Sequence, residues 1–134
     1  MPVETNERVE IRASGDVVAV RQVVRTRASE LGFSLVDQTK LVTAASELAR
    51  NTLDYGGGGW VEVESIVDPL RKGLRLTFED RGPGIPDLEQ ALRDGYTSGK
   101  GLGLGLGGAR RLVNEFDIES RPGEGTRVRI ARWR

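Results

Sequence analysis

A stretch rich in glycine, from Gly95 to Gly108, constrains the fold of this chain more than any other feature. It holds seven glycines. Glycine loses the most conformational freedom on folding, so the start of the stretch predicts a mobile loop rather than a helix or a strand. Apolar residues return at helical spacing from about Gly107 onward, which predicts a helix up to about Glu115. The ordered core must therefore form from elements on both sides of this loop.

Two helices are predicted before the loop. The first, with Ser14 or Asp16 as cap and Gly32 at its end, has an apolar stripe at intervals of three and four residues: Val17, Val20, Val24, Ala28 and Leu31. The second runs from about Asp37, its predicted cap, to about Tyr55, because four residues repeat in the same way: Leu41, Ala45, Leu48 and Thr52.

Strands are predicted where apolar and polar residues alternate. This pattern occurs at Val9 and Ile11, over residues 60–67 and over residues 74–79. Two closing strands, at residues 117–120 and 126–130, are joined by a turn. Strands and helices do not alternate regularly along the chain. The order therefore favours a single α+β domain over residues 1–134, with a mostly antiparallel sheet and helices on one face, rather than a doubly wound parallel sheet.

The composition excludes several kinds of chemistry and partner. Twenty basic residues offset twenty acidic ones, so no overall positive charge attracts a nucleic-acid backbone. The chain has no cysteine and no histidine, which excludes a thiol nucleophile, a thiolate or imidazole metal site and self-phosphorylation on histidine. No apolar run is long enough for a membrane helix, and residues 1–10 do not resemble a signal peptide, so a cytoplasmic protein is expected.

Glu47 and Asn51 are one helical turn apart on the second predicted helix, so their side chains leave the same face. An asparagine oxygen suits Mg²⁺, which prefers oxygen ligands and keeps substrate phosphates in its other positions. Glu47 can accept a proton from a hydroxyl that attacks a terminal phosphate. Two solvated helix residues would show the same spacing.

Asp80 ends a predicted strand, and Gly82 and Gly84 after it permit the close approach of a ligand or of another backbone segment. A carboxylate in this place can accept a hydrogen bond from the exocyclic amino group of adenine, whereas guanine presents a carbonyl at the corresponding position. The pattern predicts an adenine contact, although an ordinary Asp-Arg-Gly turn has the same sequence.

The loop before the last predicted helix can bind phosphates through backbone N–H groups and the charge of one lysine, with these residues as candidates: Lys100, Gly101, Leu102, Gly103, Leu104 and Gly105. It is not a P-loop, because three residues rather than four separate Gly95 from Gly99, and Lys100 is followed by a glycine. It also does not directly follow an early strand, as a dinucleotide fingerprint requires. Alone, the loop is equally compatible with a flexible hinge.

In this order, the three patterns resemble the N, G1 and G2 boxes of the GHKL ATPases, whose Bergerat fold is a two-layer α+β sandwich. Thr126 follows Gly125 where that family carries a threonine close to the adenine-binding carboxylate. The resemblance implies ATP and Mg²⁺ as cofactors, Glu47 as general base and Asn51 as metal ligand. The implied nucleotide contacts are Asn51, Asp80, Gly82, Gly84, Ile85, Lys100, residues 101–105 and Thr126. Arg81 is a departure in charge at a variable position of the G1 box.

Within that superfamily, residues 46–51, 79–87 and 114–120 resemble the switch serine/threonine kinases of the bacterial stressosome. This resemblance implies transfer of the ATP γ-phosphate to STAS-domain antagonist and scaffold proteins, followed by binding and activation of a PP2C-type phosphatase. Related anti-sigma kinases contact their partners near the position of Arg21, which implies a partner contact there. Two alternatives stay open: an anti-sigma kinase that binds a sigma factor, and a non-catalytic module in which nucleotide only controls partner binding.

Overall fold

The computed structural model describes residues 3–85 and 106–134. In chain order the elements are β1 (Val3–Ile11), α1 (Ser14–Glu30), α2 (Leu35–Asp54), β2 (Gly59–Val67), β3 (Lys72–Asp80), α3 (Leu106–Arg111), β4 (Glu115–Arg121) and β5 (Gly125–Trp133). The five strands of the described ranges form one sheet in the order β1-β2-β3-β5-β4, and every neighbouring pair is antiparallel. The prediction of an α+β fold with an antiparallel sheet is confirmed.

The hydrophobic core lies between the helices and one face of the sheet. Both predicted helical stripes are buried there, with only the last residue of the first stripe half-exposed: Val17, Val20, Val24, Ala28 and Leu31 on α1 and its end, and Leu41, Ala45, Leu48 and Thr52 on α2. The sheet contributes alternate residues of its central strands: Val61, Val63, Leu74, Leu76, Phe78, Val128 and Ile130. This packing fixes which side chains of β3 and β5 face α2.

Helix α1 begins at Ser14, which is its first helical residue rather than its cap. The N-cap position is held by Ala13, so neither predicted residue is the cap, and Asp16 instead acts from the third helical position. Its carboxylate accepts hydrogen bonds from the backbone N–H groups of Arg12 and Ala13 at 2.8 and 3.0 Å. Gly32 follows the helix with φ +84°, a backbone conformation that favours glycine, so the predicted end is confirmed.

Helix α2 begins two residues earlier than predicted, and the prediction of Asp37 as its cap is wrong. Ser34 caps the helix, since its hydroxyl accepts the backbone N–H of Asp37 at 3.1 Å. The Asp37 carboxylate instead accepts a hydrogen bond from Arg132 on β5 at 2.7 Å. The carboxylate that the local pattern predicted as the helix cap is thus used in a tertiary contact with β5.

The edges of two other elements also differ from the predictions. Strand β1 starts at Val3, well before Val9, and α3 ends at Arg111 rather than near Glu115. The helix ends early because the backbone N–H of Asn114 donates to Ala131 on β5 at 2.9 Å, which begins the pairing of β4. The sequence also predicts a short helix capped by Asp87, with Leu88, Ala91 and Leu92 on its apolar side. That helix and the predicted loop over residues 95–105 lie outside the described residues.

The opposite face of the sheet bears no helix among the described residues and is largely polar. Both tryptophans of the chain lie on it. The guanidinium of Arg8 is 4.4 Å from the ring centre of Trp60, and that of Arg71 is 3.8 Å from the ring centre of Trp133. We call this surface the open face. No helix in the described ranges is long and apolar enough to span a membrane.

Candidate functional site

Three predicted polar site residues, Asn51, Asp80 and Thr126, line one pocket between α2 and the sheet. Asp80 and Thr126 are directly paired across β3 and β5. The remaining walls are mostly apolar: Leu48, Thr52, Tyr55, Phe78, Ile85, Leu106 and Val128. The enclosed space is about 20 Å³, so a nucleobase can enter only if a wall moves. The structure thus brings the N-box amide, the G1 carboxylate and the threonine together, as predicted.

The electrostatics of Asp80 are set by its half-buried position. Burial raises the pKa of the Asp80 carboxyl, and hydrogen bonds from the backbone N–H groups of Gly82 and Thr126 act against this rise by stabilising the charge. The Gly82 nitrogen is 2.9 Å from Oδ1 of Asp80. The carboxylate is therefore oriented by the backbone while part of it still faces the pocket.

Two glycines beside Asp80 occupy positions where a side chain would not fit. A Cβ on Gly56, just after α2, would overlap the Asp80 carboxyl group. A Cβ on Gly82 would lie 2.7 Å from the backbone of Gly56, so these two segments pack backbone against backbone. Gly56 is a site residue that the sequence patterns missed, because the run of glycines from residue 56 to 59 indicated only the end of a helix.

The turn that follows Asp80 is held from two sides. Tyr55, at the end of α2, donates its hydroxyl to the Gly84 carbonyl at 3.0 Å. Ser120 on β4 accepts the backbone N–H of Ile85 at 2.6 Å, and its hydroxyl lies 2.9 Å from that of Thr126. The sequence patterns placed neither Tyr55 nor Ser120 at the site. Ser120 reaches it from β4, whereas Tyr55 follows Asn51 by one helical turn, a spacing that could have indicated it. The predicted contacts Gly82, Gly84 and Ile85 lie on this fixed turn, and Ile85 lines the pocket.

Glu47 and Asn51 occupy successive turns of α2, as predicted. Glu47 is exposed, whereas Asn51 is half-buried at the pocket wall. Buried Leu48 lies between them along the helix and anchors this face of α2 to the core. The pair therefore extends from the inside of the pocket to its solvent side.

The residues present fit a nucleotide, and they fit Mg²⁺ only together with one. The pocket pairs an oriented carboxylate with apolar walls, and the absence of a side chain at Gly56 leaves room for that carboxylate. Within the described ranges, no group of three or more acidic side chains is placed to hold a metal ion. A site with one amide oxygen needs phosphate oxygens and water as further ligands, which is how Mg²⁺ usually binds.

Asp80 and Thr126 also border a wider hollow of about 330 Å³ that opens toward the open face beside Trp60, Arg81 and Arg127. Its lining is strongly charged, and neither Asn51 nor any other residue of α2 contributes to it. Of these two spaces in the described ranges, the apolar pocket is the one that joins Asp80 to α2, the helix of Glu47 and Asn51.

The remaining predicted residues fall into two groups. Lys100 and residues 101–105 fall outside the described residues, so their contact with phosphate stays a prediction. Arg21 is exposed on α1 and borders a separate hollow of about 260 Å³ with Val18, Gln22, Arg25 and Val42. That hollow lies between α1 and α2.

The fold and the pocket define a class of ATPase. Residues 36–134 match the family model described as histidine kinase-, DNA gyrase B- and HSP90-like ATPase. This range includes all of α2 except its first residue, the whole pocket and four of the five described strands. The chain belongs to this family, and its predicted membership of the GHKL ATPases is confirmed.

Individual relatives narrow the class. The chain is 46% identical to the serine/threonine-protein kinase RsbT of Bacillus subtilis (strain 168), over 93% of this chain and 94% of that protein. It is 29% identical to an anti-sigma F factor of Thermoanaerobacter sp. (strain X514), over 84% and 82% of the two chains. The predicted resemblance to RsbT-type kinases is confirmed by the first comparison, and so is the prediction of a protein serine/threonine kinase.

Solved structures agree on the fold. The crystal structure of the RsbU and RsbW domains of Rv1364c from Mycobacterium tuberculosis matches with a TM-score of 0.64 and 20% identity, over 97% of this chain and 33% of that longer one. The catalytic domain of the histidine kinase ThkA matches with a TM-score of 0.56 and 18% identity, over 93% and 94%.

Proposed function

We propose that this kinase binds ATP–Mg²⁺ between α2 and the sheet and transfers the γ-phosphate to a serine or threonine of a STAS-domain protein. The observation that carries the proposal is the arrangement of the pocket. Asp80 faces apolar walls, and Asn51 on the opposite wall lies one helical turn from exposed Glu47. One nucleotide placed with its base at Asp80 and its phosphates toward Glu47 would use every one of these groups.

Asp80 would select adenine. Its carboxylate would accept a hydrogen bond from the exocyclic amino group of the base, while Phe78, Ile85 and Leu106 would provide apolar contacts to the ring. Guanine would place a carbonyl against the same carboxylate, and two acceptors without a proton between them leave both groups unsatisfied. The hydroxyl of Thr126, directly across the strand pair, is available for a second polar contact.

Glu47 would act as the general base. As the acceptor hydroxyl oxygen bonds to the γ-phosphorus, its proton passes to the Glu47 carboxylate, and the bond from phosphorus to the oxygen shared with the β-phosphate breaks to release ADP. Asn51 would hold Mg²⁺, which when bound neutralises charge on the phosphates. Lys100 and residues 101–105 would contact the phosphates from the loop that the sequence predicts there. The exposure of Glu47 allows a hydroxyl on another protein to reach it.

The surface beside Arg21 is the candidate contact for protein partners. Arg21 and Arg25 bring two positive charges next to exposed Val18, and the hollow between α1 and α2 can receive a side chain of the partner. A basic surface with an apolar centre suits a partner that presents acidic and apolar residues. We propose that STAS-domain antagonist and scaffold proteins bind here, and that a PP2C-type phosphatase binds and is activated once they are released.

The proposal is tested by a single-turnover assay with radiolabelled ATP, Mg²⁺ and a STAS-domain protein of the same organism. The expected result is a stoichiometric phosphoprotein with label on serine or threonine, identified by mass spectrometry. ATP binding in calorimetry without phosphoprotein for any STAS-domain protein would support the non-catalytic module and contradict the kinase mechanism on Glu47.

An anti-sigma kinase is the second candidate, because anti-sigma F factors align with most of this chain. A pull-down with and without ATP–Mg²⁺, followed by mass spectrometry, separates the two. Capture of a sigma factor would favour the second candidate, and capture of STAS-domain proteins and a PP2C-type phosphatase alone would favour the first. Arg21→Ala should weaken the capture of either kind of partner. The matched control is Arg12→Ala, because Arg12 is an exposed arginine that lies before α1.

A further inference from the structure

Arg132 on β5 links three elements at the end of the sheet remote from Asp80. Its Nη2 donates to Asp37 in the first turn of α2 at 2.7 Å, and its Nη1 donates to the carbonyl of Leu112, just after α3, at 2.8 Å. Only 15% of the Arg132 side chain is exposed. Arg132 lies six residues from Thr126 along β5, about 20 Å at the usual rise of a strand. One guanidinium therefore ties the start of α2 to the end of α3.

Helix α3 connects this link to the nucleotide pocket. Its first residue, Leu106, is a wall of the pocket, and its last turn leads into Leu112. The chain after it is fixed to β5, because Asn114 donates its backbone N–H to Ala131 at 2.9 Å and accepts the backbone N–H of Trp133 at 2.7 Å. The helix is thus anchored at its C-terminal end while its N-terminal end contacts the site.

The size of the pocket gives this anchor a role. A base can enter the space of about 20 Å³ only if a wall moves. Leu106 is the first residue of the shortest helix of the described ranges, so few residues of its own element hold it in place. After the base has entered, Leu106 must pack against it, and a fixed position for the far end of α3 reduces the ordering that this step requires.

We propose that Arg132 and Asp37 are a positioning pair for the nucleotide pocket, which hold α3 at a set distance from α2 so that Leu106 packs on the bound base. The inference rests on the proposed ATP site and adds residues that do not touch the nucleotide. The planar guanidinium suits this task because its two terminal nitrogens reach two acceptors in a fixed direction, which a lysine ammonium does not reproduce. Glu47 lies on the later part of α2, so the chemical step should not depend on the pair.

The test measures ATP affinity by calorimetry and the single-turnover rate at saturating ATP for Arg132→Gln and Arg132→Lys. For Arg132→Gln we expect an ATP dissociation constant about tenfold higher, with the rate at saturation unchanged. Arg132→Lys should fall between this variant and the wild type, because one of the two contacts can be restored. Asp37→Asn weakens the same ion pair from the α2 side, and it replaces Arg132→Gln in the test if that variant does not fold.

A matched control separates positioning from stability. Arg75 and Glu64 form an ion pair of 3.1 Å with 20% and 12% of their side chains exposed, but on the open face. Arg75→Gln should lower the melting temperature comparably to Arg132→Gln and leave ATP affinity unchanged. Equal ATP affinity in wild type and Arg132→Gln, or an equal loss in Arg75→Gln, would overturn the positioning role. No ATP binding by the wild type would overturn the proposed function itself.

Discussion

Asp80, the proposed adenine contact, is enclosed by backbone from Gly56, Gly82 and β5, whereas Glu47, the proposed general base, is exposed on α2. A base that must be distinguished from guanine requires a fixed acceptor and a shaped wall. A reaction with a hydroxyl of another protein requires the opposite, a group that the partner can approach. Under the proposed mechanism, nucleotide binding and the chemical step depend on separate parts of the site, so each should be removable without the other.

The largest effect is expected at the exposed end. Glu47→Ala should lower phosphotransfer to the STAS-domain protein by about 10² to 10⁴-fold, the usual size of a general-base contribution, with ATP affinity unchanged. Single-turnover kinetics and calorimetry measure the two quantities. Glu124→Ala, which removes an exposed carboxylate from the turn before β5, is the control and should transfer phosphate like the wild type. Normal transfer by Glu47→Ala would remove that residue from the role of base.

The next effect is expected at the enclosed end. Asp80→Asn should weaken ATP binding by about 10- to 100-fold, because an amide donor can face the adenine amino group and leave both unsatisfied. GTP should lose less affinity, so the preference for ATP narrows. Calorimetry with both nucleotides measures this, and an unchanged ratio of the two affinities would contradict the adenine assignment.

A smaller effect tests the close packing around Asp80. Gly56→Ala should destabilise the protein by about 1 to 3 kcal/mol, the usual cost of overpacking, and weaken ATP binding because Asp80 is displaced. Gly15→Ala is the matched control, since a Cβ there has no atom within 4 Å and α1 gains a better helix former. It should stabilise by about 0.5 to 1 kcal/mol. Denaturant unfolding compares both, and equal stability of the two variants would disprove the packing argument.

The smallest effect concerns pH. Burial raises the pKa of Asp80 above its ordinary 3.8, so the folded protein holds this proton more tightly than the unfolded chain. The contribution of Asp80 to stability therefore falls as pH rises from 3.8 through the raised pKa. ATP affinity should change in the opposite direction and weaken a few-fold as pH falls through the same range, because protonation removes the charged acceptor.

The variant Asp80→Asn separates the two quantities. It removes the burial cost of the charge, so at neutral pH it should be at least as stable as the wild type while it binds ATP more weakly. Both pH dependences described for Asp80 should be absent from it. Retention of either one in the variant would assign that dependence to another group.

The sequence predicted the parts of this fold that follow from local periodicity. The stripes of α1 and α2 and the alternation of β2 and β3 were sufficient, because burial on one face dictates spacing within a single element. The caps were less accessible. Asp37 has the right chemistry to cap α2, but Arg132, far along the chain, pairs with it and leaves the task to Ser34. Helix α3 ends early for a similar reason, since pairing with β5 takes over its last residues.

The candidate site divides in the same way. Asn51, Asp80 and Thr126 could be predicted because ordered motifs mark them, and the structure brings them to one pocket. Gly56 and Ser120 could not, because each matters through a contact with a segment distant in sequence. Their role depends on how α2, β3 and β4 meet, which no single-element pattern contains.

The two tryptophans on the open face give the protein a built-in optical probe. Trp133 is fixed, with its indole N–H donated to Glu115 at 2.7 Å, and lies at the end of the sheet remote from Asp80. Trp60 borders the hollow that also contains Asp80, on the side of the sheet away from the proposed adenine. In a Trp133→Phe variant, the emission of Trp60 alone would report nucleotide binding from the other side of the sheet, without a label and without a tryptophan introduced into the pocket.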